Sequence, residues 1–173
     1  MQTMSLSDDG RSDVRQLISF TVGTEQYGLE LLRVKEVIRA RAPTWLPKAP
    51  SCVKGIINLR GDVIPIVDLR ERFGLPQQEA TAATRVIVVE VETTLVGMVV
   101  DSASQVVRIP VDQFSAPPPV MGDATRGYIT SVGRRGEELV IMLDVDRILG
   151  ADEKREIADS LSAVVREPAL SGR

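Results

Sequence analysis

The residues best placed for chemistry lie in the stretch 53–70, where Arg60 separates two apolar segments. The stretch reads as strand, tight turn, strand and helix start. Leu59, Arg60 and Gly61 fit a three-residue hairpin loop in which the glycine adopts the left-handed conformation. Arg60 then lies at the loop tip, with its guanidinium directed toward solvent or a partner. An exposed cation beside apolar strands predicts non-covalent docking of another protein.

Groups that commonly perform catalysis or bind metals are scarce. The chain has no histidine and one cysteine, Cys52, which removes the commonest acid–base catalyst and the usual zinc and iron ligands. The sequence contains no phosphate-binding glycine loop, dinucleotide-binding motif or nucleophile elbow. An enzyme that uses paired carboxylates is the remaining catalytic hypothesis, and no motif supports it. We therefore expect no enzymatic activity, no cofactor, no metal and a buried Cys52.

Composition and charge limit the possible partners. The 173 residues are 43% hydrophobic and 26% charged, which is typical of one globular domain or two very small fused ones. A net charge of −3 and an aromatic content of 3% disfavour binding to nucleic acid or anionic lipid. No apolar run is long enough to span a membrane, so we expect a cytoplasmic protein without membrane insertion.

The neighbours of the Arg60 hairpin can be predicted from single residues. Pro65 cannot donate a ladder hydrogen bond, which places the second strand at a sheet edge or beside a bulge. Asp68 is suited to cap a short helix that stops near Gly74. In the proline-rich loop at 41–51, Trp45 and Leu46 are expected to be pinned to the core.

The pattern of the first half begins again at residue 85. Gly28 and Gly97 are 69 positions apart, and this offset aligns the first strands of both halves without gaps. Further on, Gly61 aligns with Gly136. Each half reads strand, hairpin, strand, proline-rich loop, hairpin and short helix. We predict a mostly β fold of two small barrels, each with about five short strands.

The predicted boundaries follow from this pattern. They are a disordered tail at 1–14, one domain at 15–150 with subdomains at about 15–83 and 84–150, a C-terminal helix at 151–167, and a frayed end at 168–173. The terminal segments of one subdomain are allowed to pack in the other subdomain.

Several motifs resemble the CheW family of chemotaxis coupling proteins. The resembling segments follow one another in order at 32–37, 46–50, 53–61, 64–70, 96–101 and 139–144. Asn-Leu-Arg-Gly at 58–61, followed by Asp-Leu-Arg at 68–70, is the most specific part. The resemblance implies two five-stranded barrels akin to the Src-homology-3 fold, packed around a shared core, with short helices and a C-terminal helix. This agrees with the repeat.

The resemblance also implies a function. The chain would be a non-catalytic adaptor that couples the cytoplasmic tips of methyl-accepting chemoreceptors to the histidine kinase CheA. The receptor's helical hairpin would lie in an apolar groove between the barrels. The regulatory domain of CheA has the same fold, so the two proteins would alternate in a ring, while the isolated chain would be a monomer. The receptor would control the kinase through a shift in the geometry with which the proteins dock.

Two charged positions and one apolar position carry the resemblance in the first half. Glu36 matches the acidic receptor-contacting position of the family, and Val34 lies on the same strand. Arg60 matches the turn arginine implicated in receptor and kinase coupling. The alternatives are that Glu36 is a solvated strand residue, Val34 is ordinary core and Arg60 is an idle surface arginine.

The remaining matched positions are glycines and one valine. Gly97 and Val106 match second-barrel positions associated with receptor docking, while Gly55 and Gly61 shape the Arg60 turn. For Val106 the alternative is a core position, and for the three glycines it is a backbone requirement independent of any partner.

The chain departs from the family pattern in three places. Gln105 stands where the family usually has an acidic residue, and the proline run at 117–119 and the glycine-rich link at 122–127 are unusual. These departures leave open whether the output is flagellar or belongs to a paralogue that serves a parallel pathway for pili, gliding or another output. A distant alternative is a small-barrel protein that binds nucleic acid, which the acidic composition opposes.

Overall fold

A computed structural model describes residues 13–119 and 127–165, together with all their side chains except those of Gln105 and Val165. Most of the predicted N-terminal tail, the end of the C-terminal helix, the frayed end and most of the glycine-rich link lie outside these ranges. The strands are β1 (Val14–Val22), β2 (Glu25–Glu30), β3 (Val34–Arg39), β4 (Val53–Leu59), β5 (Asp62–Asp68), β6 (Arg85–Val91), β7 (Thr94–Val100), β8 (Ser102–Pro110), β9 (Phe114–Ser115), β10 (Ile129–Arg135) and β11 (Glu138–Leu143). The helices are α1 (Leu69–Arg72), α2 (Val145–Ile148) and α3 (Ala151–Val165). Short 3-10 turns at Leu31–Arg33 and Val111–Gln113 precede β3 and β9.

The strands form two sheets, which we call barrel A and barrel B. Barrel A has the order β9-β10-β11-β2-β1-β8, and barrel B has the order β3-β6-β7-β5-β4. Barrel B is closed by a bridge at 44, where Thr44 and Ile56 exchange two backbone hydrogen bonds of 2.8 and 2.7 Å. The predicted mostly β, two-barrel fold is confirmed. Barrel A differs from five strands because the two-residue strand β9 adds a sixth.

The two sheets exchange their first hairpins. Hairpin β1–β2 comes from the first half of the chain but pairs with β8 and β11, and hairpin β6–β7 comes from the second half but pairs with β3 and β5. The exchanged hairpins join their new sheets through parallel pairs, β2 with β11 and β7 with β5. The sheets therefore do not follow consecutive halves of the chain. The boundary near 83 remains a prediction.

The core is shared between the barrels. The largest buried apolar cluster contains Phe20 and Leu29 from barrel A together with Ile87 and Met98 from barrel B. Because each barrel alone is too small to bury much apolar surface, packing the two together supplies the larger core.

Gly28 and Gly97 occupy the same place in the two barrels, at the parallel pairs. A Cβ atom at Gly28 would lie 2.8 Å from Leu17 Cδ1, and one at Gly97 would lie 2.7 Å from Ile66 Cδ1. Real Cβ atoms do not approach other atoms so closely, so both positions require glycine for packing inside a barrel.

The position of Pro65 fits one of the two predicted alternatives: the edge position is wrong, but the register of β4 and β5 shifts between Val53 and Gly55, next to the Ile56–Pro65 pair, so Pro65 lies beside a bulge. β5 lies between β7 and β4, so it is not an edge strand. Pro65 is opposite Ile56, whose N–H and carbonyl both bond Thr44 on the other side, so the Pro65 nitrogen faces β7. Pairing with β7 begins only at Ile66, and the missing N–H therefore falls where the ladder starts.

The loop before β4 is only partly pinned to the core. Leu46 is buried as expected, but 74% of Trp45 is exposed, so the prediction for Trp45 was wrong. Its neighbour Thr44 is held by the bridge to Ile56, and this leaves the indole on the outside of barrel B.

Two short helices begin at aspartate caps, of which Asp68 was predicted. Asp68 accepts a hydrogen bond of 2.9 Å from the backbone N–H of Arg70, and Asp144 accepts one of 2.9 Å from that of Asp146. Arg70 and Asp146 are therefore the second residues of equivalent helices. Each makes an ion pair near a segment where the chain crosses from one barrel to the other, and we call these two contacts the crossing ion pairs.

The first crossing ion pair joins Arg33 and Asp146. The Arg33 guanidinium donates to both carboxylate oxygens of Asp146, at 3.0 and 2.8 Å, and to the backbone carbonyl of Glu90 at 2.9 Å. Asp146 follows the last strand of barrel A, whereas Glu90 lies in barrel B. One side chain thus connects both barrels.

The second crossing ion pair joins Arg70 and Asp101 with the charges reversed. Arg70 follows barrel B and donates to both oxygens of Asp101, at 2.9 and 3.0 Å. Asp101 also accepts the backbone N–H of Gly23, in the β1–β2 turn of barrel A, at 2.8 Å. Removal of this carboxylate would leave a half-buried arginine and a backbone donor without their partner.

We expect Asp101→Ala to lower the free energy of unfolding by about 1–3 kcal/mol, because three hydrogen bonds to one carboxylate are lost. Urea denaturation measures this change. Asp112→Ala is the control, since Asp112 is exposed. Equal stability of the two variants would show that the second crossing ion pair contributes nothing.

We expect Gly97→Ala to lower the free energy of unfolding by about 1–3 kcal/mol through overpacking against Ile66 and Val86. Gly127→Ala is the matched control, because a Cβ there would meet no atom within 4 Å. Thermal unfolding of both variants tests the packing role, and an unchanged melting temperature for Gly97→Ala would contradict it.

Candidate docking surface

The turn that carries Arg60 is tighter than predicted. Leu59 pairs directly with Asp62, so the loop has two residues, Arg60 and Gly61, with φ angles of 52° and 93°. Two positive φ angles are the mark of a type I′ hairpin turn. The three-residue loop with only glycine left-handed was therefore wrong. The Gly61 N–H donates to the Asn58 side-chain oxygen at 2.9 Å, which stabilises the turn.

Arg60 and Glu36 form an ion pair on the outside of barrel B. Arg60 Nη1 donates to Glu36 Oε2 at 3.2 Å, and Nη2 contacts the other carboxylate oxygen. The pair joins the β4–β5 turn to strand β3, while 68% of the Arg60 side chain remains exposed. Two parallel contacts orient the guanidinium better than one contact would.

Electrostatics keep both members of this pair charged. The hydrogen bond from Arg60 lowers the pKa of Glu36, and the nearby charge of Arg41 lowers it further. The hydrogen bond to Glu36 raises the pKa of Arg60 in turn. Arg41 is held close because its Nη1 donates to the Asn58 carbonyl at 3.1 Å. A partner therefore meets the Glu36–Arg60 ion pair with the Arg41 side chain beside it.

Gly55 does not lie in the turn, contrary to the prediction. It lies in β4 at a register shift, with a φ of 153°. A Cβ at Gly55 would lie 2.4 Å from the carbonyl oxygen of Thr44. Gly55 thus allows the backbone at Thr44 to approach β4 and close barrel B, which is a backbone requirement.

Val34 and Gly97 both belong to barrel B but differ in burial. Val34 is half-buried, packs against the shared core and pairs with Val89. Gly97 is buried in β7 and therefore belongs to barrel B, as Glu36 does, although it comes from the second half of the chain. A partner on the surface cannot touch Gly97 in this conformation.

Val106 is exposed on the other barrel. It lies in β8, pairs with Ile18 of β1, and 44% of it is accessible. The structure therefore brings Glu36 and Arg60 together, with Val34 on the same strand, but it places Val106 in barrel A.

Sequence reasoning missed three exposed residues near this surface. They are Leu32, which is 93% exposed, Trp45 and Arg41. Leu32 precedes Val34 in a 3-10 turn, and an apolar residue there gives no sequence signal that distinguishes exposure from burial. For Arg41 a signal existed, because the segment from 37 to 61 contains no acidic residue.

Cys52 is the one free thiol of the chain, and it is buried. Burial raises the pKa of the Cys52 thiol to about 11, so the thiol is protonated at neutral pH. Within residues 13–119 and 127–165, no group of three or more acidic or cysteine side chains is placed to hold a metal ion. No helix in these ranges is long and apolar enough to cross a membrane.

Comparison with known proteins identifies relatives along most of the chain. The model of the CheW-like domain matches residues 16–153. Chemotaxis protein CheW of Klebsiella aerogenes is 32% identical over 144 residues, which cover 83% of this chain and 87% of that protein. Protein FrzA of Myxococcus xanthus is 30% identical over 146 residues, with 83% and 91% covered.

A solved structure has the same fold. The crystal structure of scaffolding protein TtCheW from Thermoanaerobacter tengcongensis superposes with a TM-score of 0.73 at 29% sequence identity. The match covers 80% of this chain and 94% of that one. The similarity therefore extends to the arrangement of the two barrels.

The ion pair predicts a pH dependence that NMR can measure. The Glu36 carboxyl should titrate below an ordinary glutamate, and Arg60→Ala should raise its midpoint toward the ordinary value because the donor is lost. The sign follows from a lowered folded-state pKa: any stabilisation from the pair is present above the unfolded pKa and is lost as the pH falls through the folded one.

Arg135 supplies the matched control for this titration. Arg135 precedes Gly136 at the equivalent turn of barrel A and is exposed. Arg135→Ala should leave the Glu36 midpoint unchanged. If Arg60→Ala also left it unchanged, the ion pair would be absent in solution.

Proposed function

Because the chain belongs to the CheW-like family of non-catalytic chemotaxis adaptors, we propose that it couples methyl-accepting chemoreceptors to the histidine kinase CheA through docking alone. The observation that carries the proposal is the exposed Glu36–Arg60 ion pair, which lies within the matched residues. A fixed charged pair can recognise a partner without forming any covalent bond.

The physical support is that the pair is held by backbone structure rather than by flexible loops. Glu36 lies in a strand and Arg60 in a two-residue turn, so both start from restricted positions. Binding residues on a rigid scaffold lose little conformational entropy when a partner docks. Glu36 and Arg60 are therefore proposed as direct contacts of receptor or kinase.

Val34 and Val106 are proposed as apolar contacts, one in each barrel. Their positions are consistent with a receptor hairpin that touches both barrels, which is the groove mode expected from the resemblance. Gly97 is proposed to act indirectly, because a larger residue would displace Ile66 and Val86 beneath the surface. Gly55 and Gly61 act through the backbone of barrel B.

Kinase control is proposed to be a change in how the receptor and CheA sit on the two barrels. The adaptor is proposed to work in the cytoplasm, at receptor arrays on the inner face of the membrane. It would be monomeric alone and would alternate with the regulatory domain of CheA in a ring.

A second candidate is an adaptor for a parallel chemosensory pathway. The observation that favours it is the similarity to Protein FrzA, a relative that does not carry the CheW name. Reconstitution with receptors and kinases from different clusters of the same genome separates the two, because each adaptor should activate the kinase of its own pathway most strongly.

Co-sedimentation with a receptor signalling fragment and CheA tests the function. We expect the chain to sediment with both and to raise kinase activity, and Arg60→Glu to weaken assembly because the Glu36 contact becomes a repulsion. The melting temperature should hardly change, since exposed substitutions usually alter stability by at most about 0.5 kcal/mol.

Arg135→Glu should sediment like the unmodified chain, because it makes the same charge reversal at the strand end beside the equivalent turn of the other barrel. Failure of the unmodified chain to sediment or activate would refute the function. If Arg60→Glu unfolded the protein, Arg60 would be structural instead of a docking residue.

A further inference from the structure

Positive charge is concentrated in the segment 37–61, which contributes strands and the closing loop to barrel B. Between Glu36 and Asp62 the chain carries five cations, Arg39, Arg41, Lys48, Lys54 and Arg60, and no acidic residue. The whole chain nevertheless has a net charge of −3. The segment 37–61 is therefore positively charged, although the whole chain has a net negative charge.

Most cations elsewhere in the described chain have acidic partners, but several here do not. Lys54 pairs with Glu71 and Arg60 with Glu36. Among the residues that the structure describes, the cations without an acidic partner are Arg39, Arg41, Lys48, Arg85, Arg108, Arg134 and Arg135. The first four of these belong to barrel B or to the loop that closes it.

Two of these arginines lie directly opposite each other. Arg39 of β3 pairs with Arg85 of β6, and the adjacent residues continue the contact, with Ala40 N–H donating to the Thr84 carbonyl at 3.3 Å. Like charges at opposed positions of neighbouring strands destabilise a sheet. Arg85 Nη1 donates to the backbone carbonyls of Ala82 and Thr84 at 2.8 and 2.9 Å, and neither arginine has an acidic partner among the described residues.

An exposed aromatic side chain lies on the same barrel. Trp45 directly follows Thr44, which is bonded to β4, and Arg41 contacts Asn58 at the start of the Arg60 turn. We call Arg39, Arg41, Arg85 and Trp45 the basic rim. Tryptophan and arginine are the residues most enriched among those that dominate binding at protein interfaces.

Arg41 is the member of the basic rim that lies close to the Glu36–Arg60 pair. The positive charge of Arg41 interacts with the Glu36 carboxylate and contributes to its lowered pKa. Because Arg60 already neutralises Glu36, the combined surface presents excess positive charge. Its complement is a partner segment with carboxylates to pair with the arginines and an apolar side chain to cover the indole.

We propose that the basic rim binds an acidic segment of the chemoreceptor's helical hairpin, beside the Glu36–Arg60 pair. This inference rests on the proposed function, and it adds the chemistry of the receptor segment and the residues that recognise it. Nucleic acid is disfavoured as the occupant, because the chain is acidic overall and aromatic residues make up only 3% of it.

Trp45 makes the test direct because it is the only tryptophan of the chain. The intact protein is titrated with a tryptophan-free receptor signalling fragment while its fluorescence is recorded. We expect a shift of emission to shorter wavelength and protection from acrylamide, and Trp45→Ala should bind about tenfold more weakly.

Charge reversal tests the arginines. Arg39→Glu combined with Arg85→Glu should weaken receptor binding about tenfold and reduce its salt dependence, since attraction is replaced by repulsion. Arg134→Glu combined with Arg135→Glu is the matched control, because these two exposed cations of barrel A also lack acidic partners. It should bind as the unmodified chain does.

The outcomes separate this inference from the proposed function. If the receptor fragment sediments with the unmodified chain but Trp45 emission does not change, the rim is not the docking surface and the adaptor function stands. A shift caused only by the CheA regulatory domain, or by an RNA oligonucleotide, would assign the rim to that partner and overturn the proposal. Lack of binding to receptor and CheA alike would refute the function itself.

Discussion

Two ion pairs of opposite polarity connect the barrels at the segments where the chain crosses between them. Arg33 reaches Asp146 and the backbone of Glu90, while Asp101 receives both Arg70 and the backbone of Gly23. Each pair uses the second residue of a short helix capped by aspartate. In the first pair the helix supplies the carboxylate, and in the second pair the helix supplies the arginine. The two helices therefore cannot exchange partners without placing like charges together. The relative placement of the barrels depends on these contacts and on the core that they enclose.

The fixed placement of the two barrels matters for the proposed docking residues. The Glu36–Arg60 pair lies on barrel B and Val106 on barrel A, so a partner that touches both senses how the barrels are arranged. A rigid adaptor can transmit a change in receptor geometry to a kinase without chemistry of its own. The protonated Cys52 thiol beneath α3 is consistent with a structural interior.

Local features of the fold were predictable because they depend on neighbouring residues. The Asp68 cap, the left-handed Gly61 and the repeat between Gly28 and Gly97 all follow from short-range patterns. The hairpin exchange was not fixed by these patterns, since both first hairpins have the same apolar alternation and fit either sheet. Only the long-range contacts, such as Arg70 with Asp101, distinguish the pairings.

The candidate site was predictable in part for the same reason. The resemblance identified Glu36 and Arg60, but no pattern shows that their side chains meet, because 24 residues separate them. Gly55 was misread because its requirement comes from the Thr44 carbonyl of another segment. Trp45 was misread because aromatic residues are usually buried, and its exposure depends on the bridge that closes barrel B.

In the proposed function, receptors dock on a fixed surface centred on Glu36 and Arg60 and extending to Val106. Amide chemical-shift mapping of the isotope-labelled chain with a receptor signalling fragment measures this most directly. We predict that the largest changes fall in β3, in the β4–β5 turn and near Val106, while amides at the crossing ion pairs keep their shifts. Changes confined to the β10–β11 turn, or spread over both cores, would contradict the account.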